Sequence, residues 1–193
     1  MKSIKTFQES HREGLIMKLS LVDSDDSVLS KKAEDFDFDH TNIYDPKQLF
    51  EDMRDLMCAK RGIGLAAPQC GIPLNVFVMG SPSEPDSVIS VFNPKIIDVI
   101  GEEVYYDEGC LSFPGLFIRI KRNSAIRVRY TTYSNITDTI KFDGMTARVF
   151  LHEYDHLQGT LYTDIAKAYH LERAKRKQKI YTRQRKQNAL SKK

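Results

Sequence analysis

The sequence predicts an α+β fold, because strand-like segments follow one another through the middle of the chain and a helical segment stands at either end of them. The 193 residues suit a single domain with its own hydrophobic core. Hydrophobic residues make up 41% and charged residues 28% of the chain, as in ordinary globular proteins. We therefore expect antiparallel strands packed around a central helix with an HExxH motif, an N-terminal helix, and a basic C-terminal helix or tail.

The first predicted helix begins at Asp45. Aspartate is a good N-cap, and Pro46 suits the first helical position. Apolar residues then recur at the spacing of one helix face: Leu49, Phe50, Met53, Leu56 and Met57. Gly62 and Gly64 indicate where the helix stops.

Five strands are predicted after this helix, at 75–79, 88–92, 95–106, 117–121 and 125–132. In the last of them, apolar and charged residues alternate as expected for a strand with one buried face. A second helix is predicted from 145 to 158, with Gly159 as its stop. A third can run from 161 to 190, because Pro and Gly are absent from that segment.

The second helix carries the sequence HEYDH at 152–156. His152 and His156 are four residues apart and share a helix face, so both imidazoles can reach one metal ion, with Glu153 beside them as a general base. A catalytic metal usually has three protein ligands and an open position for water. On the residues alone, the third ligand stays open between Cys110, in the segment EGCLSFP at 108–114, and the downstream carboxylates Asp164 and Glu172.

The cysteine content favours a reducing compartment. Three cysteines, Cys58, Cys70 and Cys110, are too few and odd in number for a disulfide framework. The first residues have no apolar stretch of the kind that forms a signal peptide, and no run of 18 apolar residues occurs. We expect a cytoplasmic monomer with no membrane partner.

A third segment, GIGLAAPQ at 62–69, combines small residues with one amide side chain, Gln69. It lacks the spacing and the lysine of a phosphate-binding loop. Taken together and in this order, GIGLAAPQ, EGCLS at 108–112 and HEYDH resemble the three signature motifs of the peptide deformylase family, in its bacterial-type branch. The resemblance extends from about residue 15 to residue 165 and includes FNPKI at 92–96.

The resemblance implies a metal centre. It assigns one metal ion per chain to the ligands Cys110, His152 and His156. The native ion of this family is Fe²⁺, and Zn²⁺, Ni²⁺ or Co²⁺ can replace it. The set of one thiolate and two imidazoles agrees with these metals.

The resemblance also implies roles in catalysis. Glu153 takes a proton from water on the metal and passes it to the leaving amine. Gln69 and the backbone N–H of Leu111 donate to the oxygen of the attacked formyl group, and Gly64 hydrogen-bonds the substrate backbone. The implied reaction removes the formyl group from the N-terminal formylmethionine of nascent polypeptides.

The methionine of such a substrate needs an apolar pocket. Ile63, Met145 and Val149 are candidates for its lining by residue type, although ordinary core positions explain them equally well. The chain departs from its branch at Leu116 and Phe117, where a polar residue or arginine often contacts the substrate beyond methionine. That outer contact is in doubt here.

The C-terminal segment is strongly basic. From residue 171 to residue 193 there are ten lysines or arginines and one acid, Glu172, which gives +9; the net charge of +3 therefore leaves 3 − 9 = −6 for residues 1–170. We expect a single catalytic domain over 1–170, with 1–14 loose, and a basic extension over 171–193. This extension is either a solvated helix or tail, or a segment attracted to the ribosome and its RNA.

Two other functions compete with this interpretation. A zinc peptidase would use the same HExxH helix with a carboxylate as the third ligand, so Cys110→Ala would leave its metal binding nearly intact. An inactive scaffold or RNA-binding module would use the basic tail alone.

Overall fold

The computed structural model describes residues 19–39 and 44–190 of the chain. The segment 1–14, predicted to be loose, lies outside the described residues. In the part that is described, five strands form one antiparallel sheet in which each strand pairs with the next along the chain. The strands are β1 (Gly64–Ala66), β2 (Val76–Met79), β3 (Ile89–Cys110), β4 (Phe113–Thr131) and β5 (Thr137–Asp143).

Helices accompany this sheet, so the predicted α+β class is confirmed. They are α1 (Pro46–Ala59), α2 (Gly144–Leu157), the short α3 (Tyr162–Ile165) and α4 (Ala168–Leu190), with 3₁₀ turns at Ser27–Ser30, Ala67–Cys70 and Pro85–Ser87. Helix α2 packs on the sheet: Phe150 meets Phe77 of β2 edge to face, with ring centroids 5.0 Å apart. Both rings belong to a buried cluster that includes Ile126 and Val128 of β4.

Helix α1 begins as predicted. The side chain of Asp45 accepts a hydrogen bond of 2.7 Å from the backbone N–H of Gln48, and Pro46 occupies the first turn. The buried face of α1 consists of predicted positions: Leu49, Phe50, Met53 and Met57. This face packs against β2 and the 3₁₀ turn that contains Gln69. The local pattern was therefore sufficient to define the helix.

Two strands are longer than predicted. Strand β3 runs through the predicted segments 88–92 and 95–106, except for Val88. Strand β4 runs through 117–121 and 125–132, except for Thr132. Asn93, with φ of 49°, lies in a register shift between Phe92 and Lys95, so an irregular ladder absorbs a residue that looked like a break. Strands β1 and β5 were not predicted, because β1 has three residues and β5 is almost wholly exposed.

The continuous helix predicted over 161–190 is wrong. The chain is helical at 162–165, extended at Ala166, and helical again from Ala168. This turn lets both Tyr162 and Ala174 pack against β4, in a cluster with Leu116 and Ile118. Packing on the sheet therefore overrides helix propensity here. The division of the chain at residue 170 stays a prediction.

Helix α4 continues to follow β4 after residue 171. The side chain of Gln178 donates a hydrogen bond of 2.9 Å to the carbonyl of Pro114, and Tyr181 approaches Gly115. A Cβ built on Gly115 would lie 2.8 Å from the Tyr181 ring.

Within the described ranges, no helix combines the length and apolar character that a membrane span requires.

Candidate metal centre

Of the three candidates for the third metal ligand, Cys110 is the one that lies beside the two histidines. It ends β3, while His152 and His156 lie one turn apart on α2. One ligand atom from each of the three residues lies within 4.8 Å of the others, and His156 Nε2 is 3.2 Å from Cys110 Sγ. In the described part of the chain, neither Asp164 nor Glu172 belongs to such a group.

The donor set fits one divalent transition metal ion. Ligand atoms about 2.0 to 2.3 Å from a tetrahedral ion lie about 3 to 4 Å apart. The distance of 3.2 Å between Cys110 Sγ and His156 Nε2 falls in this range. Nδ1 of His152 bonds to a carboxylate, so its Nε2 is the nitrogen left for an ion. One thiolate with two imidazoles suits iron, zinc, nickel or cobalt.

Glu108 holds His152 through the ring nitrogen Nδ1. Its Oε2 lies 3.0 Å from His152 Nδ1, and Arg122 donates to both of its oxygens, at 2.7 and 3.0 Å. Burial alone would raise the pKa of Glu108, but the hydrogen bonds from His152 and Arg122 outweigh burial and lower this pKa to about 2. Glu108 is therefore a carboxylate that accepts the Nδ1–H of His152, an arrangement typical of metal-binding histidines.

The pKa values of the two imidazoles are shifted in opposite directions. Burial lowers the pKa of His152, but Cys110 and Glu108 more than compensate and raise it to about 10. Burial, together with the charge of His152, lowers the pKa of His156 to about 3. An ion held by this cluster would require both imidazoles in their neutral form.

Glu153 follows His152 in the chain, and one of its carboxylate oxygens has no hydrogen-bond partner among the described residues. The residue is buried, and the oxygen without a partner is Oε2. Burial raises the pKa of Glu153 to about 7. The carboxyl group also lies against Gly64 of β1: a Cβ built there would be 2.8 Å from both Cγ and Cδ of Glu153. A buried carboxyl group with an oxygen that lacks a hydrogen-bond partner is suited to proton transfer.

Gln69 places its amide next to the sulfur of Cys110. Its Oε1 accepts a hydrogen bond of 2.8 Å from the backbone N–H of Ala66. Its Nε2 donates to Ser112 Oγ at 3.0 Å and to Cys110 Sγ at 3.3 Å. Leu111 follows Cys110 in the turn between β3 and β4. The predicted amide donor therefore lies next to the sulfur, and the predicted backbone donor belongs to the next residue along the chain.

The residues predicted to line an apolar pocket differ in exposure. Ile63 is 49% and Met145 56% exposed, so core packing does not explain these two positions. Val149 is partly buried and packs against the core under the sheet. Leu116 is buried, whereas Phe117 is exposed and its ring covers Gly109, next to Cys110.

Sequence reasoning missed the charged residues behind the histidines: Glu108, Arg122, Arg148 and Asp155. All four belong to one hydrogen-bonded network with His152. Two signals were available. Glu108 and Asp155 lie inside the recognised motifs, and Arg148 is one helical turn before His152, where a core-facing residue is normally apolar.

An antiparallel α+β domain with a Cys–His–His cluster and a buried glutamate beside it defines a candidate metallohydrolase. The model of the polypeptide deformylase family matches residues 18–172, and the chain belongs to this family. The resemblance of the three motifs is thereby confirmed.

Relatives at moderate identity agree with this assignment. The peptide deformylase of Christiangramia forsetii is 36% identical over 162 residues, which covers 77% of this chain and 81% of the relative. That of Thermotoga maritima is 39% identical over 139 residues, covering 72% and 81%. Its crystal structure has a TM-score of 0.70 at 36% identity over 77% of this chain and 97% of the other. The peptide deformylase of Synechococcus elongatus, solved with actinonin, has a TM-score of 0.75 at 31% identity over 84% and 88%.

Proposed function

We propose that this chain hydrolyses the formyl group from the N-terminal formylmethionine of nascent polypeptides, in the cytoplasm where those chains are made. The observation that carries the proposal is the meeting of Cys110 with His152 and His156, next to the open carboxyl group of Glu153, in a member of the polypeptide deformylase family.

The three ligands hold one ion, Fe²⁺ by the family resemblance, with Zn²⁺, Ni²⁺ or Co²⁺ able to take its place. When bound, the ion supplies Lewis acidity that activates water and polarises the formyl carbonyl. His152 would hold the ion through Nε2, because Glu108 engages its Nδ1. His156 would hold it through Nε2, the nitrogen that faces Cys110.

Glu153 moves the protons. Its Oε2 is buried and has no partner within the described chain, so it is free to accept a proton from the attacking water. The same carboxyl group then gives that proton to the leaving amine, which restores the carboxylate for the next turnover. Gly64 keeps the space in front of this carboxyl group clear of a side chain.

Two donors stabilise the developing oxyanion. The Nε2 of Gln69 is held by its neighbours 3.3 Å from Cys110 Sγ, and the backbone N–H of Leu111 is the next donor along the chain from Cys110. Losing one such donor costs about 3 to 4 kcal/mol in other hydrolases. Ala66 fixes the oxygen of the Gln69 amide and Ser112 accepts from its Nε2, so the N–H that now points at Cys110 Sγ is the one that turns to the oxyanion.

The substrate peptide extends the sheet at β1. This three-residue strand pairs with β2 on one side and is the edge of the described sheet, so Gly64 offers backbone groups to an extended peptide. Ile63, Met145 and Val149 line the pocket for the methionine side chain. The exposure of Ile63 and Met145 supports this role, because large apolar side chains at the surface are suited to contact a ligand.

The test is formate release from formyl-Met-Ala-Ser, measured anaerobically with added Fe²⁺. We expect Cys110→Ala to lose both metal binding and formate release. Cys58→Ala is the matched control, since Cys58 is on α1 outside the cluster, and it should keep both. A Cys110→Ala variant that retains its metal would favour a peptidase with a carboxylate ligand and contradict the proposal.

We also propose that α4 binds ribosomal RNA and so brings the enzyme to nascent chains. Its packed side consists of residues that contact β4, such as Ala174 and Gln178. Exposed basic residues populate the remainder: Arg173, Lys175, Arg176, Lys177, Lys179 and Arg183. Such a surface attracts phosphates through counterion release.

This second proposal is tested by changing Arg176, Lys177, Lys179 and Arg183 together to glutamine, which leaves the packed side intact. We expect the slope of log affinity for ribosomes against log salt to become shallower by about 3. The control changes four exposed cations of the sheet: Lys95, Arg127, Arg129 and Lys141. Equal effects of both quadruple variants would show that charge alone, and not α4, governs binding.

A further inference from the structure

Arg148 is a buried arginine behind the metal centre. It lies on α2 four residues before His152, on the same face of the helix. Its side chain is 5% exposed. A guanidinium group is rarely buried to this extent unless it is hydrogen-bonded and paired with an opposite charge, because removing it from water is costly.

Three hydrogen bonds account for this burial. Nη1 donates to Glu108 Oε1 at 2.7 Å and to the carbonyl of Ile120 at 3.1 Å, while Nη2 donates to the carbonyl of Val104 at 2.7 Å. The ring of Tyr106 covers the group, 5.2 Å from its Cζ. Arg148 therefore joins α2 to both β3 and β4 at the point where Glu108 lies.

Glu108 divides its two oxygens between different partners. Oε1 receives Arg148 and Nε of Arg122, and Oε2 receives Nη2 of Arg122 and Nδ1 of His152. Arg122 is itself shared, because its Nη1 donates to Asp155 at 2.7 Å. Arg148 makes its side-chain hydrogen bond to Glu108 alone, and its other bonds go to backbone carbonyls.

Arg148 supplies one of the two guanidinium groups that face the two carboxylates of this network. Glu108 and Asp155 contribute two negative charges, and Arg122 and Arg148 contribute two positive charges. Without Arg148, one guanidinium would serve two carboxylates in a buried site. Oε1 of Glu108 would then keep only Nε of Arg122 as a donor, and one guanidinium group instead of two would hold the carboxylate in the geometry in which Oε2 meets His152.

We propose that Arg148 is a positioning residue of the metal centre: it fixes the carboxylate of Glu108 so that Oε2 holds Nδ1 of His152 and Nε2 stays directed at the ion. This inference rests on the proposed metal centre. It concerns how tightly the ion is held, and it assigns Arg148 no contact with substrate.

The test uses Arg148→Met, which keeps the length of the side chain, and Arg148→Lys, which keeps the charge with fewer donors. Cobalt affinity is measured by competition with a chelator, and the absorption bands of bound Co²⁺ report ligand geometry. Loss of a group that orients a metal ligand typically weakens binding by about 10- to 100-fold. We expect this loss in Arg148→Met, a smaller loss in Arg148→Lys, and altered cobalt bands in both.

Arg127→Met is the matched control. Arg127 also pairs with a carboxylate across the β3–β4 ladder, Asp98, but that pair is about half exposed. The control should keep wild-type cobalt affinity. Melting temperatures with and without Co²⁺ distinguish a positioning role from a purely structural one. If Arg148 positions the ligand, its loss reduces the increase in melting temperature that Co²⁺ causes. If Arg148 only supports the fold, its loss lowers both melting temperatures equally.

The proposal is overturned if folded Arg148→Met binds Co²⁺ within twofold of wild type, or if its two melting temperatures fall together. Should Arg148→Met fail to fold, unchanged affinity in Arg148→Lys overturns it. A wild-type protein that binds no Co²⁺ would refute the metal centre and positioning together. Normal binding by wild type and by both variants would refute positioning alone.

Discussion

The two sides of the metal centre differ in how fully their polar groups are paired. On one side, which we call the paired half, every described charged group has partners: Glu108, Arg122, Arg148, Asp155 and His152. On the other, the open half, Glu153 Oε2 and His156 Nδ1 are buried without partners. Only Asn75 Oδ1 shares that condition among the described side chains, so the unpaired atoms concentrate at this site.

The difference separates the residues that support the ligand His152 from the carboxyl group proposed to move protons, while the ligand His156 lies in the open half. An unpaired buried polar group costs about 1 to 3 kcal/mol, so a protein keeps one where a ligand or a proton will use it. Consecutive helix residues point about 100° apart. His152 and Glu153 can therefore face different halves although they are neighbours on α2. A single helix supplies both the support and the chemistry.

Changing the open half should have the largest effect. Glu153→Gln preserves shape but removes the carboxylate that we propose as the proton acceptor, so we expect formate release to fall by about 10² to 10⁴-fold, or about 3 to 5 kcal/mol in the barrier. Metal binding should be unchanged, since Glu153 is not a ligand in the proposed centre. The measurement is kcat/KM on anaerobic enzyme, with metal content determined on the same sample.

A loss of metal in Glu153→Gln equal to that in Cys110→Ala would contradict this division. It would show that Glu153 helps to hold the ion. The paired half would then no longer be the only support.

Changing the paired half should affect the stability of the protein. Glu108→Gln removes the carboxylate partner of Arg148 and leaves Arg122 with Asp155 alone, and breaking a buried pair costs about 3 kcal/mol or more of unfolding free energy. Denaturant unfolding of the metal-free protein measures the loss. The exposed Arg127–Asp98 pair is the control, because removing Asp98 should cost less than about 1 kcal/mol. Equal losses would show that the buried network contributes no more than a surface pair.

The paired half also predicts a pH dependence. The pKa of Glu108 is lowered to about 2 in the folded protein, against about 4.3 for an unfolded glutamate. A lowered pKa contributes stability above the unfolded value, and this contribution is lost as pH falls towards the folded value. The stability gap between wild type and Glu108→Gln should therefore narrow by about 2 kcal/mol between pH 7 and pH 3. Metal-free unfolding curves at several pH values test this, and a constant gap would contradict it.

The sequence predicted the open half better than the paired half. Glu153 and His156 share one short motif, whose helical spacing brings them together, and the resemblance to the family assigned the role of Gln69. The paired half depends on β3 and β4 forming one long hairpin, which places Glu108 opposite Ile118 and close to Arg122. That hairpin was predicted as four separate strands. Its contacts with Arg148 of α2 arise from tertiary packing that no local pattern specifies.

The same reason explains the errors at the C-terminus. A segment without Pro or Gly favours one continuous helix, yet Tyr162 is buried on β4 and donates a hydrogen bond to the carbonyl of Leu116. The chain must turn at Ala166 before α4 can bring Ala174 to the same strand. Local propensity was therefore a good guide for α1 and α2, whose packed faces repeat regularly, and a poor one for this segment.

Gly64→Ala should produce the smallest effect and locate the boundary of the open half. An added Cβ would lie 2.8 Å from Cγ and Cδ of Glu153, so the carboxyl group must shift. We expect kcat/KM to fall by about tenfold, or about 1.4 kcal/mol, because small displacements of a reacting group are costly. Cobalt affinity should stay at the wild-type value, since the three ligands and Glu108 lie outside this contact. A variant that lost cobalt affinity together with activity would show that the two halves move as one unit, and the distinction between supporting a ligand and moving protons would fail.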